Sequence, residues 1–196
     1  DSSVKWIDSD GNVVRIPIAT ICSLFLGPGT TVTHEAIKVL SAANCSVCWM
    51  GEDSLLFYAF GDSPTSDTKN FRFQMKAAAN PTTRLSVAKR MFQDRFPGED
   101  LTNRNLSDLR GMEGRRVKAL YLEKATYYRV GWSGRSFVPN HFQLSSTTNQ
   151  ILTACNAALY GVTASVIHAL GYSPHIGFVH TGSPLPFVYD ISDLYK

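Results

Sequence analysis

Four ionisable residues in the second half of the chain have the types and positions that a metal-dependent reaction requires. Glu113 lies in the segment "NLSDLRGMEGRRVKALYL", and His180, Asp190 and Asp193 lie in the final stretch, "GFVHTGSPLPFVYDISDLYK". From residue 136 to residue 189 the sequence contains no Asp, Glu, Lys or Arg. The two aspartates therefore arrive together at the end of an uncharged segment, which calls for an explanation.

Glu113 occupies the middle of an otherwise apolar helix face. At 100° per residue, its neighbours at offsets of four and seven positions lie within roughly 40° of it. These neighbours are Leu106, Leu109, Val117 and Leu120. A buried carboxylate needs a partner, because an uncompensated one costs several kcal/mol. Spacing alone leaves two interpretations open for Glu113: an ion pair with Arg110 or Arg116, which flank the stripe, or a metal ligand.

The three residues near the end of the chain also have simple interpretations. Asp190 is favoured as the N-cap of a terminal helix with Asp193 in its first turn, and His180 could be an ordinary loop histidine. Taken together with Glu113, however, His180 and Asp193 form a mixed oxygen and nitrogen ligand set, which suits Mg²⁺ or Mn²⁺. Such an ion polarises phosphate oxygens and activates a water or hydroxyl, so the set predicts phosphodiester chemistry.

The charge distribution points to a polyanionic partner. The segment from residue 84 to residue 135, called the basic segment below, holds 12 basic and 6 acidic side chains, whereas the whole chain has a net charge of only +3. A solvated helix face is the simpler explanation of such charges. Aromatic residues interleave with them, however, and the neighbouring carboxylates favour DNA or RNA as the partner.

The elements that position these residues change character along the chain. Residues 4–60 predict a hairpin around "SDGN", strands at "ATICSLFL", "CSVCWMG" and "SLLFYAF", and one helix with Thr33 as its N-cap. After residue 65 the pattern becomes helical, with Pro81 at the first position of a helix. We therefore predict an α+β protein with a mostly β domain over residues 1–65 and a helical domain over residues 66–196.

Two segments invite other interpretations. Cys45 and Cys48 form a C-x-x-C pair, but no second ligand pair has the spacing of a zinc site, so we interpret them as core residues of a strand. Residues 151–172 carry no formal charge and are long enough to cross a bilayer. Polar residues occur throughout this segment, so a buried core helix is favoured and no membrane association is predicted.

Several segments together closely resemble a known family. They are "LFLGPGTTVTHEAIKVL", "CWMGED", "LRGMEGRRV", "VGWSGRSF", "NAALYGV" and "ALGYSPHIGFVHTGSPLPFVYDISDLYK". The resemblance is to the CRISPR-associated adaptation integrases, in their type I-E branch, and it runs from about Val4 to the last residue. It implies an N-terminal β-sandwich domain, a C-terminal helical domain, a homodimer and a prokaryotic, cytoplasmic protein.

The resemblance also assigns residues. The family's metal ligands fall on Glu113, His180 and Asp193, Asp190 belongs to the same site, and an active-site tyrosine falls on Tyr160. The family's DNA-binding residues match Arg115, Lys118, Arg135 and Lys196, and we expect Arg110 and Arg116 of the basic segment to contact DNA as well. Many relatives carry a lysine where this chain has Ser183, so we expect one interaction with phosphate to be missing or displaced.

The activity implied is that of a Mg²⁺- or Mn²⁺-dependent DNA endonuclease and integrase. It would cut DNA strands and join the 3′-hydroxyl of a protospacer to a CRISPR repeat, with a small ferredoxin-like second adaptation protein as partner. The family has further strands before Asp1 and further helices after Lys196, so a fragment or the ordered part of a longer protein is expected. The alternatives are a stand-alone nuclease for branched DNA in repair and a non-catalytic nucleic-acid scaffold.

Overall fold

The computed structural model describes residues 3–52, 57–61, 68–136 and 145–196. It begins with a hairpin in which β1 (Ser3–Ile7) pairs antiparallel with β2 (Val13–Pro17). In the turn, the Asp8 carboxylate accepts the backbone N–H groups of Asp10 and Asn12 at 2.9 and 2.8 Å. An aspartate that binds its own turn in this way is the reason such sequences form hairpins. The hairpin predicted from "SDGN" is therefore confirmed.

A second sheet has three strands in the order β3, β4, β5, with β3 and β4 parallel and β4 and β5 antiparallel. Its elements are β3 (Ser23–Leu26), α1 (His34–Ala42), β4 (Ser46–Met50) and β5 (Phe57–Gly61). The Thr33 hydroxyl accepts the backbone N–H of Ala36 at 3.2 Å, as predicted for an N-cap. The strand predicted over "ATICSLFL" is too long. Residues Ile18–Thr20 form a 3₁₀ turn instead, in which the Thr20 hydroxyl donates to the carbonyl of Pro17 at 2.9 Å.

The C-x-x-C pair contributes to the protein interior. Cys45 is 2% exposed in a cluster with Ile18 and Leu40, and Cys48 is fully buried beside Met50 and Ala157. Both cysteines occupy positions that small apolar side chains commonly fill. Their interpretation as core residues is confirmed.

Within the described ranges, five helices follow the sheets. They are α2 (Lys69–Ala79), α3 (Pro81–Arg95), α4 (Leu106–Tyr128), α5 (Thr147–Ala169) and α6 (Pro186–Ser192), with a 3₁₀ turn at Asp193–Tyr195. Pro81 is the first residue of α3, as predicted, behind an Asn80 cap. The helix expected from residue 151 begins four residues earlier, because the Ser146 side chain caps it. The α+β class is confirmed for the described residues, whereas the predicted boundary near residue 65 lies outside them.

Helix α5 joins the three-stranded sheet to the helices. A Cβ atom on Gly161 would lie 2.5 Å from the Phe25 ring, so only glycine permits this approach of β3 to the helix. The other face of α5 packs through Ala164 and Ile167 against Phe187 and Val188 of α6. By length and composition α5 could cross a membrane. These contacts show that it serves as a core helix, as predicted.

The first half of α4 is covered by α3, and in the second half Ala125 is 7% exposed. Leu109 is fully buried and Met112 is 5% exposed, and both pack in a cluster with Phe92 of α3. Further along the helix, Leu120 is 39% exposed and Leu122 is 59% exposed. The expectation that the apolar stripe is buried as far as Leu120 is therefore wrong. Glu113 lies at the end of the covered part, where the helix begins to face an open groove.

Candidate active site

Glu113 forms an ion pair that the sequence did not predict. Its partner is Arg95, at the last position of α3, and the two side chains are only 16% and 8% exposed. The predicted partners are occupied elsewhere: Arg110 donates to the carbonyl of Val179, and Arg116 pairs with Glu99. The interpretation that Glu113 pairs with one of its flanking arginines is therefore wrong. Those two side chains lie beside the apolar stripe and bind groups away from Glu113, whereas Arg95 reaches Glu113 from the facing helix.

Asp190 holds the segment that carries His180. Its carboxylate accepts the backbone N–H groups of Phe178, Val179 and His180 at 2.5, 3.0 and 2.8 Å. It also lies 2.8 Å from Nδ1 of the His180 ring. The prediction that Asp190 caps a terminal helix is wrong, since α6 already begins at Pro186 and Asp190 lies within it. Pro186 was the overlooked signal for the helix start.

The same contact orients the histidine. With Nδ1 bound to Asp190, the other ring nitrogen, Nε2, lies 3.7 Å from Oδ2 of Asp193. A carboxylate on the far nitrogen is the arrangement that fixes the tautomer and direction of metal-binding histidines. The hydrogen bond to Asp190 raises the pKa of His180 above its ordinary value, against the effect of burial.

Asp193 is the centre of a second polar cluster. Lys196 donates to Oδ1 of Asp193 at 2.9 Å and to the Tyr160 hydroxyl at 2.8 Å, and its ammonium lies 4.5 Å from the centre of the Tyr160 ring. Tyr189 stands edge-on to Tyr160, with ring centres 5.0 Å apart, and 6.0 Å from the His180 ring. The structure thus brings together Tyr160, His180, Asp193 and Lys196, which the sequence separates by up to 36 positions.

Three carboxylates share this site with two fixed cations. Glu113, Asp190 and Asp193 face Arg95 and Lys196, which leaves one negative charge uncompensated when His180 is neutral. Burial raises the pKa of Glu113 and the nearby Asp193 raises it further, whereas Arg95 lowers it. The net result is a raised pKa. A divalent cation would satisfy this excess, and the carboxylate and imidazole donors suit Mg²⁺ or Mn²⁺.

Two of the ligand positions are nevertheless occupied by cationic side chains. Within the parts of the chain that the structure describes, no three acidic, histidine or cysteine side chains are close enough to hold an ion as they stand. Arg95 is bound to Glu113 and Lys196 is bound to Asp193. Glu113, His180 and Asp193 line one narrow cavity of about 20 Å³, with room for about one water molecule. Glu113, His180 and Asp193 still suit a metal ion by their donor atoms, their charge and their shared cavity.

The cavity opens into a groove of about 930 Å³ along α4 and α5. Of the residues predicted to bind DNA, Arg110, Lys118, Arg135 and Lys196 line this groove, whereas Arg115 and Arg116 are exposed on α4 outside it. Arg135 donates to Asn149 and Thr153, so its guanidinium also fixes the start of α5. Ser183 is half-buried on the turn after His180.

Arg95 is the site residue that the sequence did not reveal. Its side chain lines both the cavity and the groove, and its guanidinium lies 5.2 Å from the centre of the Phe96 ring. A signal was present in the helical period, because Arg95 lies three and seven positions after the buried Phe92 and Ala88. A charged residue on a buried helix face requires a partner of opposite charge.

Comparison with known proteins agrees with this fold. The family described as CRISPR associated protein Cas1 matches residues 2–100. The "CRISPR-associated endonuclease Cas1 2" of Chlorobaculum tepidum is 61% identical over the whole chain, which covers 66% of that relative. The crystal structure of TtCas1 superposes with a TM-score of 0.87 at 35% identity, over the whole chain and 74% of TtCas1. The TtCas1–DNA complex gives 0.70 at 39% identity, over the whole chain and 72% of that protein.

The matched family model and the relatives identify the class as CRISPR-associated proteins, as the motifs had indicated. The chain belongs to the Cas1 family. It spans just under two thirds of the length of the curated relatives it matches, between 64% and 66% of the first three.

Proposed function

We propose that this chain carries the catalytic site of a metal-dependent DNA endonuclease and integrase that inserts protospacer DNA into a CRISPR array. One observation carries the proposal. His180 is held by Asp190 with its free nitrogen toward Asp193, in a cavity shared with Glu113 at the wall of a basic groove. Membership of the Cas1 family supports the same function.

Glu113, His180 and Asp193 would hold the Mg²⁺ or Mn²⁺ ion. When bound, the ion would polarise the phosphodiester and make a water or a 3′-hydroxyl a better nucleophile at neutral pH. The protein's own part is positioning. Asp190 keeps the His180 ring in one tautomer, and Arg95 compensates the Glu113 carboxylate until the ion arrives.

Lys196 and Tyr160 would act on the DNA side of the site. Both line the groove, and the ammonium of Lys196 is bound to the Tyr160 hydroxyl. A cation at this position can stabilise the negative charge that develops on phosphate oxygens in the transition state. Lys118 and Arg110 line the same groove and would track the phosphate backbone, which gives affinity without sequence preference.

The wider organisation belongs to the same proposal. We expect an N-terminal β-sandwich domain over residues 1–65, completed by strands outside this chain, and a helical domain from residue 66 onward. The active protein would be a cytoplasmic homodimer of the type I-E-like branch, which acts with a small ferredoxin-like partner. A DNA-bound structure of the 39% identical TtCas1 supports DNA as the substrate.

The test is a strand-transfer assay with the full-length protein, a labelled protospacer and a supercoiled plasmid that carries a repeat. We expect integration products with Mn²⁺ or Mg²⁺ and the partner protein, and their loss in Glu113→Gln. Glu123→Gln is the matched control, because Glu123 lies on the same helix but is largely exposed and pairs with its neighbour Lys124. The control should integrate normally.

Two outcomes would contradict the proposal. Cleavage of branched DNA without the partner, and no integration with it, would identify a stand-alone repair nuclease. DNA binding with neither cleavage nor integration in any divalent ion would identify a scaffold.

A further inference from the structure

The segment that carries His180 has no regular secondary structure, yet side chains from elsewhere in the fold bind many of its backbone groups. Residues 173–180, called the histidine loop here, connect α5 to the turn before α6. Its last three N–H groups bind Asp190. Its carbonyls at Phe178 and Val179 accept from Arg84 and Arg110, so side chains of α3 and α4 also hold it. The position of His180 is therefore set by side chains from elsewhere in the fold.

The first half of the histidine loop is bound by a buried side chain, Gln74 of α2, and its Pro174 carbonyl also accepts the Phe187 N–H at 3.0 Å. Gln74 is 1% exposed. Its Nε2 donates to the carbonyls of Ser173 and Ile176 at 2.9 and 2.7 Å, and its Oε1 accepts the N–H of Ser173 at 2.8 Å. Two carbonyls on one side and an N–H on the other fix the orientation of the amide. Both donor hydrogens are used, and other neutral side chains of this length lack this donor and acceptor pattern.

The histidine loop lies in direct contact with Asp190 at Gly177. Gly177 follows the Gln74 contact, and a Cβ atom there would lie 2.6 Å from the carbonyl oxygen of His180 and 3.0 Å from Oδ2 of Asp190. The loop has no free space at this point. Because Gly177 follows Ile176 and lies against both groups, we expect a displaced Ile176 to disturb His180 or Asp190.

We propose that Gln74 is a positioning residue for His180, which rests on the function proposed above. Gln74 is not among the residues that line the cavity or the groove. It acts by anchoring the histidine loop, so that the amides of residues 178–180 meet Asp190 and the ring points toward Asp193. The protein thereby uses an uncharged residue of the second helix to define the geometry of a site formed by α4, α6 and the loop.

The test compares Gln74→Met with Asn70→Leu in the full-length protein. Methionine keeps the length and unbranched shape of glutamine but makes none of its three hydrogen bonds. Asn70 is the matched control: it lies one turn earlier on α2 and donates its side-chain amide to a backbone carbonyl at 2.7 Å, but that carbonyl belongs to Leu170, before the loop. Both variants keep the charge of the protein and remove hydrogen bonds from a side-chain amide to a backbone carbonyl.

Two measurements separate positioning from stability. The first is hydrogen exchange of the backbone amides of residues 178–180 without metal, corrected for the change in global stability. Their protection should fall about tenfold or more in Gln74→Met and stay unchanged in Asn70→Leu. Mn²⁺ affinity by calorimetry should fall roughly tenfold in Gln74→Met, at the lower end of what outer contacts of a metal site contribute, and remain within twofold in the control. Wild-type affinity in Gln74→Met, or equal losses in both variants, overturns the inference.

The wild-type protein supplies a third measurement that needs no variant. If Gln74 and Asp190 hold one cooperative unit, the amide of Ser173 and those of residues 178–180 exchange with protection factors within about threefold of one another. Exchange of Ser173 about a hundredfold faster would show that the Gln74 contact opens by itself and would overturn the inference. Failure of the proposed metal site looks different, since wild-type protein would then bind no Mn²⁺ at all while the exchange results stood.

Discussion

The ion pair between Glu113 and Arg95 permits a quantitative prediction. Both side chains are largely buried, at 16% and 8% exposure. Two unit charges about 4 Å apart attract by about 4 kcal/mol at the effective dielectric constant of about 20 that suits most protein sites, and breaking a buried pair costs about 3–5 kcal/mol. Glutamine retains a carbonyl that Arg95 can donate to. We therefore expect Glu113→Gln to lose about 3 kcal/mol, a fall in Tm of about 6–12 °C.

A double-mutant cycle isolates the pair. Arg95→Met leaves a buried carboxylate, whose pKa burial already raises, so that glutamic acid can take up a proton and limit the loss. The double variant Glu113→Gln/Arg95→Met leaves no charge behind. The double variant should therefore lose less stability than the two single variants lose together. The difference should be about 2–3 kcal/mol, in the upper range of couplings between contacting residues. Urea unfolding in EDTA at pH 7.5 measures all four proteins, provided that the m-value is constant.

The metal response provides the second half of this test. Mn²⁺ at a hundredfold excess over its dissociation constant should stabilise the wild type by about 2.7 kcal/mol, and Glu113→Gln should gain almost nothing. Glu123→Gln, exposed on the same helix, should differ from wild type by less than about 0.5 kcal/mol and respond fully to Mn²⁺. Additive losses within about 0.5 kcal/mol would refute the energetic pairing, and an unchanged Mn²⁺ response in Glu113→Gln would refute the ligand assignment.

Three further predictions concern pH, DNA and the core. Because the hydrogen bond to Asp190 raises the pKa of His180, protonated His180 stabilises the metal-free protein fully below its unfolded pKa near 6.5, and this contribution is lost as pH rises through the folded pKa. Mn²⁺ must displace that proton, so the rise in Tm that Mn²⁺ causes should be smaller at pH 6 than at pH 8. An equal rise at both pH values would contradict this. Replacing Arg115 and Lys118 with Gln should weaken binding to all DNA sequences and flatten the salt dependence by about one unit of slope for each phosphate that the variant no longer binds; an unchanged slope would show that they only solvate α4. Cys48→Ala should lose stability yet keep activity, and stoichiometric zinc that this change removes would overturn the core assignment.

Local signals predicted the elements of this fold well. The Asp-Gly turn, the Thr33 cap and Pro81 each fix backbone geometry within a few residues, so the elements they mark appear where expected. Errors arose where two local signals competed. Asp190 has the type of an N-cap residue, but Pro186 starts the helix one turn earlier and places that carboxylate inside the protein.

The site was predicted less completely, for a different reason. Helical periodicity showed that Glu113 faces the interior, but it cannot show which residue approaches from another helix. Arg95 lies 18 positions away and meets Glu113 only because α3 and α4 pack together. The loss of burial at Leu120 has the same origin, since a stripe is covered only as far as its neighbour extends. Such facts depend on tertiary packing, which spacing along one helix does not contain.

The side-chain anchoring of the histidine loop has a consequence for biosynthesis. The loop and α6 emerge from the ribosome last among the described residues, and the groups that bind them belong to α2, α3 and α4, which must already be folded. A nascent chain that has not yet exposed Asp193 cannot present His180 to that residue. The proposed nuclease would therefore stay inert until this region has emerged, and would become competent to act on DNA only when the loop and α6 dock onto helices that are already folded.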